Sequence, residues 1–113
     1  MRLPVVLIAL LATTPAVAQQ LDCKQGPITR TYGGTPWLAY ACSDGRSVAL
    51  ISAPGSKAMP FVFMLHWEGG GYRLTGEGTG DKTATDAAAR DLSAVTGDDI
   101  KALLSQAQSA PSR

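Results

Sequence analysis

Phe61-Val-Phe-Met-Leu-His-Trp67, Glu68-Gly-Gly-Gly71 and Tyr72-Arg-Leu-Thr-Gly-Glu-Gly78 form the stretch on which the fold reading turns. Two runs with period-two alternation flank a glycine cluster, the pattern of an antiparallel hairpin. A four-residue turn places Trp67 opposite Tyr72 and Leu65 opposite Leu74. It also sets Phe63 and Phe61 against Gly76 and Gly78, where two rings gain room over glycine. One face then carries Phe61, Phe63, Leu65, Trp67, Tyr72 and Leu74 and reads as core. The other carries Val62, Met64, His66, Arg73, Thr75 and Glu77 and reads as mostly wet.

Upstream, Trp37-Leu-Ala-Tyr-Ala-Cys-Ser43 and Arg46-Ser-Val-Ala-Leu-Ile-Ser52 flank Asp44-Gly45, a strong hairpin signal. A two-residue turn sets Ser43 opposite Arg46, Ala41 opposite Val48 and Ala39 opposite Leu50, with Tyr40 and Ala49 on the other side. Residues 24–36, rich in glycine and proline, read as a loop. Downstream the period lengthens to about 3.6. Thr83 with Asp86 marks a helix start, and Ala84, Ala88, Leu92 and Val95 form its apolar stripe. Gly97 ends that helix, and Thr96 with Asp99 begins a second, with Ile100, Leu103, Leu104 and Ala107 on one face. Both stripes need an apolar partner, and the aromatic sheet face supplies it. The expected fold is α+β: a four-stranded antiparallel sheet of two hairpins packed against a C-terminal helical pair, with one disulfide. It occupies residues 19–108 as a single domain, with 109–113 as a flexible tail.

Residues 1–18 carry the marks of a secretory signal peptide: Arg2, an apolar run from Leu3 to Ala12, and Ala16-Val17-Ala18 ahead of Gln19. The apolar run is shorter than the roughly 20 residues a spanning helix needs, so the mature chain is expected to have no transmembrane segment. The destination is periplasmic or secreted. Cys23 and Cys42, the only two cysteines, then read as one structural disulfide. Eighteen intervening residues do not resemble the Cys-x-x-Cys turn of a redox-active pair. Without Arg2, nine basic residues balance nine acidic ones and are scattered singly. Nucleic acid and anionic membranes select clustered Lys and Arg, so a nucleic-acid partner is not expected.

The chain offers little catalytic chemistry. His66 is the only histidine and faces the wetter side opposite Arg73, with Glu68 and Glu77 nearby. No second histidine or free thiol completes a transition-metal site, and neither a metal nor a cofactor is expected. Residues 76–83 imitate a phosphate loop but place Asp81 where glycine is needed. No serine sits in a nucleophile-elbow context, which leaves a small hydrolase using His66 as a remote alternative to a non-enzyme. Partner-binding candidates are Tyr32 and Trp37, which flank Gly33-Gly34, together with His66 and Arg73; core packing is the competing fate of Trp37. Residues 52–60, with Pro54-Gly55 and Met59-Pro60, form another surface able to dock a partner.

Tyr40-Ala-Cys-Ser-Asp-Gly-Arg-Ser-Val48 resembles the start of the small periplasmic lysozyme inhibitors of the membrane-bound or C-type kind, which carry a Tyr-x-Cys strand, a glycine turn and a Val-rich strand. The resemblance spans nine residues. It implies an all-β barrel with an inhibitory Ser-Gly-x-x-Tyr loop, yet this chain lacks that motif and adds a helical C-terminus, so no site residue carries over. The expected function is that of a small exported, non-enzymatic binding or accessory protein that docks on another envelope protein or complex. A proteinaceous inhibitor of a secreted hydrolase such as lysozyme is the alternative.

Overall fold

The computed structural model describes residues 21–110; the leader expected at 1–18 and the last three residues of the expected tail lie outside this range. Five strands, β1 (Cys23–Tyr32), β2 (Thr35–Cys42), β3 (Val48–Ser52), β4 (Phe61–Glu68) and β5 (Gly71–Gly78), precede helices α1 (Lys82–Ser93) and α2 (Gly97–Ser109). The strands form one antiparallel sheet in sequential order. The sheet therefore has five strands and not four, because most of the segment read as a loop over residues 24–36 is β1 and the start of β2. Register shifts interrupt β1 between Cys23 and Gln25 and between Gln25 and Ile28, and it regains a regular ladder from Ile28↔Ala39 to Tyr32↔Thr35. Gly26, at a φ of 124°, and Pro27 sit at the irregularity, which is what hid the strand: both residues punctuate a sequence as turns do.

The two expected hairpins keep their register. Ala41 faces Val48 and Ala39 faces Leu50, while Trp67 faces Tyr72, Leu65 faces Leu74, and Phe63 and Phe61 face Gly76 and Gly78. The turns differ in detail. Glu68 pairs with Gly71, so the second hairpin closes on Gly69-Gly70 alone, both at positive φ (57° and 100°). Between β2 and β3 the ladder stops at Ala41↔Val48. The loop beyond is organised by the Asp44 carboxylate, which accepts hydrogen bonds from the backbone N–H of Arg46 (2.9 Å) and Ser47 (2.7 Å) and from the Ser47 hydroxyl (2.6 Å). Cys23 and Cys42 are direct cross-strand partners joined by the disulfide. Such a bond forms and persists in oxidising compartments outside the cytoplasm.

The helical pair covers the aromatic face. Trp37, Leu50, Phe63 and Leu65 are buried beneath Ala84, Ala88 and Leu92 of α1 and Ile100, Leu103, Leu104 and Ala107 of α2. Gly76 shows why β5 carries glycine: a Cβ there would come within 2.8 Å of the Phe61 and Phe63 rings. Two helix boundaries need correction. The N-cap of α1 is Asp81, whose carboxylate accepts the Ala84 N–H (3.1 Å), and not Thr83. That helix ends at Ser93, so Gly97 does not stop it but begins α2. The Thr96–Asp99 capping box is present in both directions.

The β1–β2 turn is fastened to α1. Gly33, at a φ of 60°, lies so close to the helix that a Cβ would sit 2.3 Å from the Ala88 nitrogen, and its N–H donates to the Asp91 carboxylate at 2.6 Å. Neighbouring Gly34, at a φ of 79°, has nothing within 4 Å of such a Cβ. Gly34→Ala therefore costs only the left-handed conformation, about 1–2 kcal/mol. Gly33→Ala adds overpacking of about 1–3 kcal/mol to the same penalty. Urea unfolding of both variants should show Gly33→Ala as clearly the less stable; equal losses would mean that the turn does not bear on α1.

Candidate functional site

The uncovered face of the sheet has two chemically distinct ends. At the end near the β4–β5 turn, His66 and Arg73 are cross-strand partners. Both reach Glu68: His66 Nδ1 lies 2.9 Å from Glu68 Oε2, and Arg73 Nη2 lies 2.8 Å from the same oxygen. The carboxylate accepts and the imidazole N–H donates, which fixes the tautomer that makes this contact. The Glu68 carboxyl is held below the usual carboxylate range, first by the hydrogen bond from His66; desolvation opposes this, and attraction to Arg73 and to His66 adds to the lowering.

A second polar knot lies alongside. The Ser47 hydroxyl, fully buried, donates to Asp44 and accepts the Trp67 N–H at 3.0 Å, tying the β2–β3 loop to β4. Arg46 lies over the Trp67 ring with its guanidinium carbon 4.8 Å from the centroid, and Tyr72 donates its hydroxyl to the Arg46 carbonyl at 2.6 Å. Desolvation raises the Asp44 carboxyl, but the hydrogen bonds from the Ser47 hydroxyl and from the Ser47 and Arg46 amides outweigh it, and its pKa is lowered. These groups satisfy one another. No hydroxyl or thiol is hydrogen-bonded to His66 among the described residues, and no cluster of three or more His, Cys, Asp or Glu side chains there is placed to hold a metal ion.

About 13 Å along the sheet, four ladder positions away at the strand rise of ~3.3 Å, the face turns apolar. Leu38, Ile51, Pro54, Met59, Pro60 and Val62 line an open groove of about 480 Å³ with Glu77 at its margin. Ile51 and Met59 are the exposed large hydrophobic residues of the described chain, at 41% and 50%. The loop between β3 and β4 forms one wall. It is held by the Ser52 hydroxyl, which accepts the Phe61 N–H (3.1 Å), and by the Pro60 carbonyl, which accepts the N–H groups of Thr79 and Gly80 (3.0 and 3.1 Å).

The sheet separates the four expected partner-binding residues. His66 and Arg73 come together on the open face. Trp37 is fully buried on the opposite face, its indole N–H bonded to Thr35 Oγ1 at 3.0 Å, so its side chain serves the core. Tyr32 is half-buried beside Val95, Asp99 and Leu103 under α2, and burial raises its phenol pKa, Arg30 opposing and Asp99 adding to the shift. The phosphate-loop imitation at residues 76–83 resolves into the end of β5, a short connector and the Asp81 cap. Val62 was placed on the outer face but read as part of a wet surface, and Leu38 and Ile51 were not singled out, although Val48-Ala-Leu-Ile51 is apolar on both faces, a sign that the second face is not wholly wet.

In comparisons with known proteins, no family model matches the chain, and no curated protein or solved structure matches it significantly. Among the described residues no helix is long and apolar enough to cross a membrane.

Asp44 and Glu68 have folded-state pKa values below their unfolded ones. Their contribution to stability is complete above the ordinary carboxylate range and is lost as pH falls through the lowered values. Urea unfolding between neutral and strongly acidic pH should therefore show stability declining below the ordinary carboxylate range. Asp44→Asn, which keeps an acceptor but cannot titrate, should flatten that decline; an unchanged slope would show that the loop carboxylate is not linked to folding.

Proposed function

We propose that the protein is a small exported binding protein, without catalytic activity, that docks on another envelope protein through the apolar end of its open sheet face. The observation that carries this reading is the groove between Leu38, Ile51, Met59 and Val62. Its walls are almost wholly carbon, and it lies on a sheet whose other face already has its helical cover. Exposed apolar surface that is contiguous and concave is the usual mark of a recognition site. An uncharged, aliphatic or aromatic segment of a partner protein fits it. A balanced, scattered charge distribution gives no footing for an anionic polymer.

Export is supported by the leader pattern of residues 1–18 and by the Cys23–Cys42 disulfide. The periplasm, or the medium beyond it, is the compartment this reading requires. A non-enzymatic role is supported by the closed polar knots at the opposite end, where Ser47 and Glu68 already have their partners.

Affinity capture from the native envelope fraction tests the reading. Tagged wild-type protein should retain a partner in stoichiometric amount. Ile51→Asp and Met59→Asp should each weaken retention at least about tenfold, as expected when a charge must be buried at the centre of an interface; unfolding midpoints measured in parallel verify that each variant is folded under the capture conditions, Met59→Asp in the loop being the less costly to the sheet. Arg73→Ala, at the polar end, should not. Recovery of the protein alone under mild detergent would remove the accessory reading, and protection of a lysozyme substrate at stoichiometric dose would replace it with the inhibitor reading.

A further inference from the structure

The two edges of the sheet are built differently. On β1 the ladder is interrupted twice, and Gly26-Pro27 lies within the irregular part, so that edge offers no continuous row of backbone groups. On β5 the eight residues pair with β4 without a register shift, and the strand contains neither proline nor lysine. Neither a proline nor a break in the ladder guards this edge.

The direction of its free backbone groups follows from the ladder. Trp67 uses its N–H to reach Ser47 on the β3 side, so the Trp67↔Tyr72 pair is one whose backbone groups point away from each other. By alternation Tyr72, Leu74, Gly76 and Gly78 direct their N–H and C=O groups outward, while Gly71, Arg73, Thr75 and Glu77 bond to β4. The outer-face side chains of β5 are thus Arg73, Thr75 and Glu77, a cation and an anion placed symmetrically about a threonine. Arg73 has its guanidinium more than half exposed, and Glu77 has no ion-pair partner among the described residues.

We infer that β5 is a self-association edge: two copies of the chain pair antiparallel through it, with the two-fold axis at Thr75. In this register Tyr72 faces Gly78 and Leu74 faces Gly76 of the second copy, and these pairs exchange backbone hydrogen bonds. Arg73 faces Glu77 of the second copy, twice by symmetry, in the positions where opposed side chains approach most closely. Each bulky inner-face residue meets a glycine. Moving the axis to Leu74 or to Gly76 leaves Glu77 opposite Gly71 or Thr75 and loses both ion pairs. A second copy is therefore the occupant that the strand's own charge pattern selects, and the pairing extends the sheet from five strands to ten. This inference rests on the register and charge pattern of the edge strand and not on the apolar groove, which meets the same strand only at Glu77 and Gly78.

Sedimentation equilibrium of the disulfide-bonded protein over a concentration series tests it. Wild type should show a monomer–dimer equilibrium that weakens with added salt. Arg73→Glu and Glu77→Arg each create two like-charge contacts and should each raise the dimer dissociation constant about tenfold or more. An equimolar mixture of the two variants should dimerise like wild type, because in the mixed dimer every cross-strand pair again joins opposite charges. Unfolding midpoints of the separate variants verify that both remain folded. A wild type that stays monomeric, a dimer that survives either reversal, or a mixture that stays monomeric would each overturn the inference.

Discussion

Burial of Trp37 is the constraint from which the rest of the architecture follows. Its ring lies 5.0 Å from Phe63 and 6.3 Å from Phe61, edge-on to the latter, and the two phenylalanines are 4.7 Å apart. Three rings on one sheet face form a thick floor, so the elements that cover it must be thin at the point of contact. Alanine supplies that thinness: Ala84 and Ala88 on α1 and Ala107 on α2 let the helices approach, and Leu92, Leu103 and Leu104 fill what remains. The same demand explains Gly76 beneath the two phenylalanines and Gly33 against the backbone of α1. Trading small residues for large ones across facing layers keeps density near that of a crystal.

The parts of this fold that were legible in the sequence are those where local pattern and tertiary demand agree. In β4 and β5 the alternation, the glycines opposite Phe61 and Phe63 and the turn all select one register, and a slip of β4 by one residue would turn Phe61, Phe63, Leu65 and Trp67 to solvent. The capping box of α2 was equally plain, since Thr96 and Asp99 satisfy each other's backbone. β1 was illegible for the opposite reason. Its residues Lys24-Gln-Gly-Pro27 have little strand propensity, and its place in the sheet depends on β2, on the disulfide and on α2. Tertiary context creates that strand. The start of α1 was misplaced because both Asp81 and Thr83 are capable caps, and tertiary contacts of the connector, with the Asp81 N–H on the Lys57 carbonyl (3.0 Å) and Gly80 close against the Ala58 carbonyl, bring the chain in at Asp81.

Of the candidate site, the pairing of His66 with Arg73 was readable from register alone, and Met59 and Pro54 were visible as loop residues. The groove was not, because it is assembled from alternate positions on β2, β3 and β4 together with that loop. Each strand shows only one or two of its residues, and Val62 and Met64 looked unremarkable beside His66. A face is judged wet or dry only when neighbouring strands are set side by side: Leu38, Ile51 and Val62 are adjacent across the ladder and reinforce one another. The sequence contained the residues but not their sum.

β1 also accounts for the role of the disulfide. The strand contributes Ile28 and Tyr32 to the core margin and little else that is apolar, so hydrophobic burial alone offsets only a small part of the entropy lost in ordering ten residues. Cross-linking Cys23 to its ladder partner Cys42 closes a loop of 19 residues and removes about 3 kcal/mol of chain entropy from the unfolded state. The bond sits at the outer end of β1, and the hydrogen bond from Gly33 to Asp91 sits at the inner end. The irregular middle, where Gly26 and Pro27 interrupt the ladder, is thereby held between two fixed points. Where the thiols stay reduced, β1 keeps its ladder from Ile28 to Tyr32 and the anchor at its turn but loses the fixed point at its outer end, so the order of this edge of the sheet draws on an oxidising compartment.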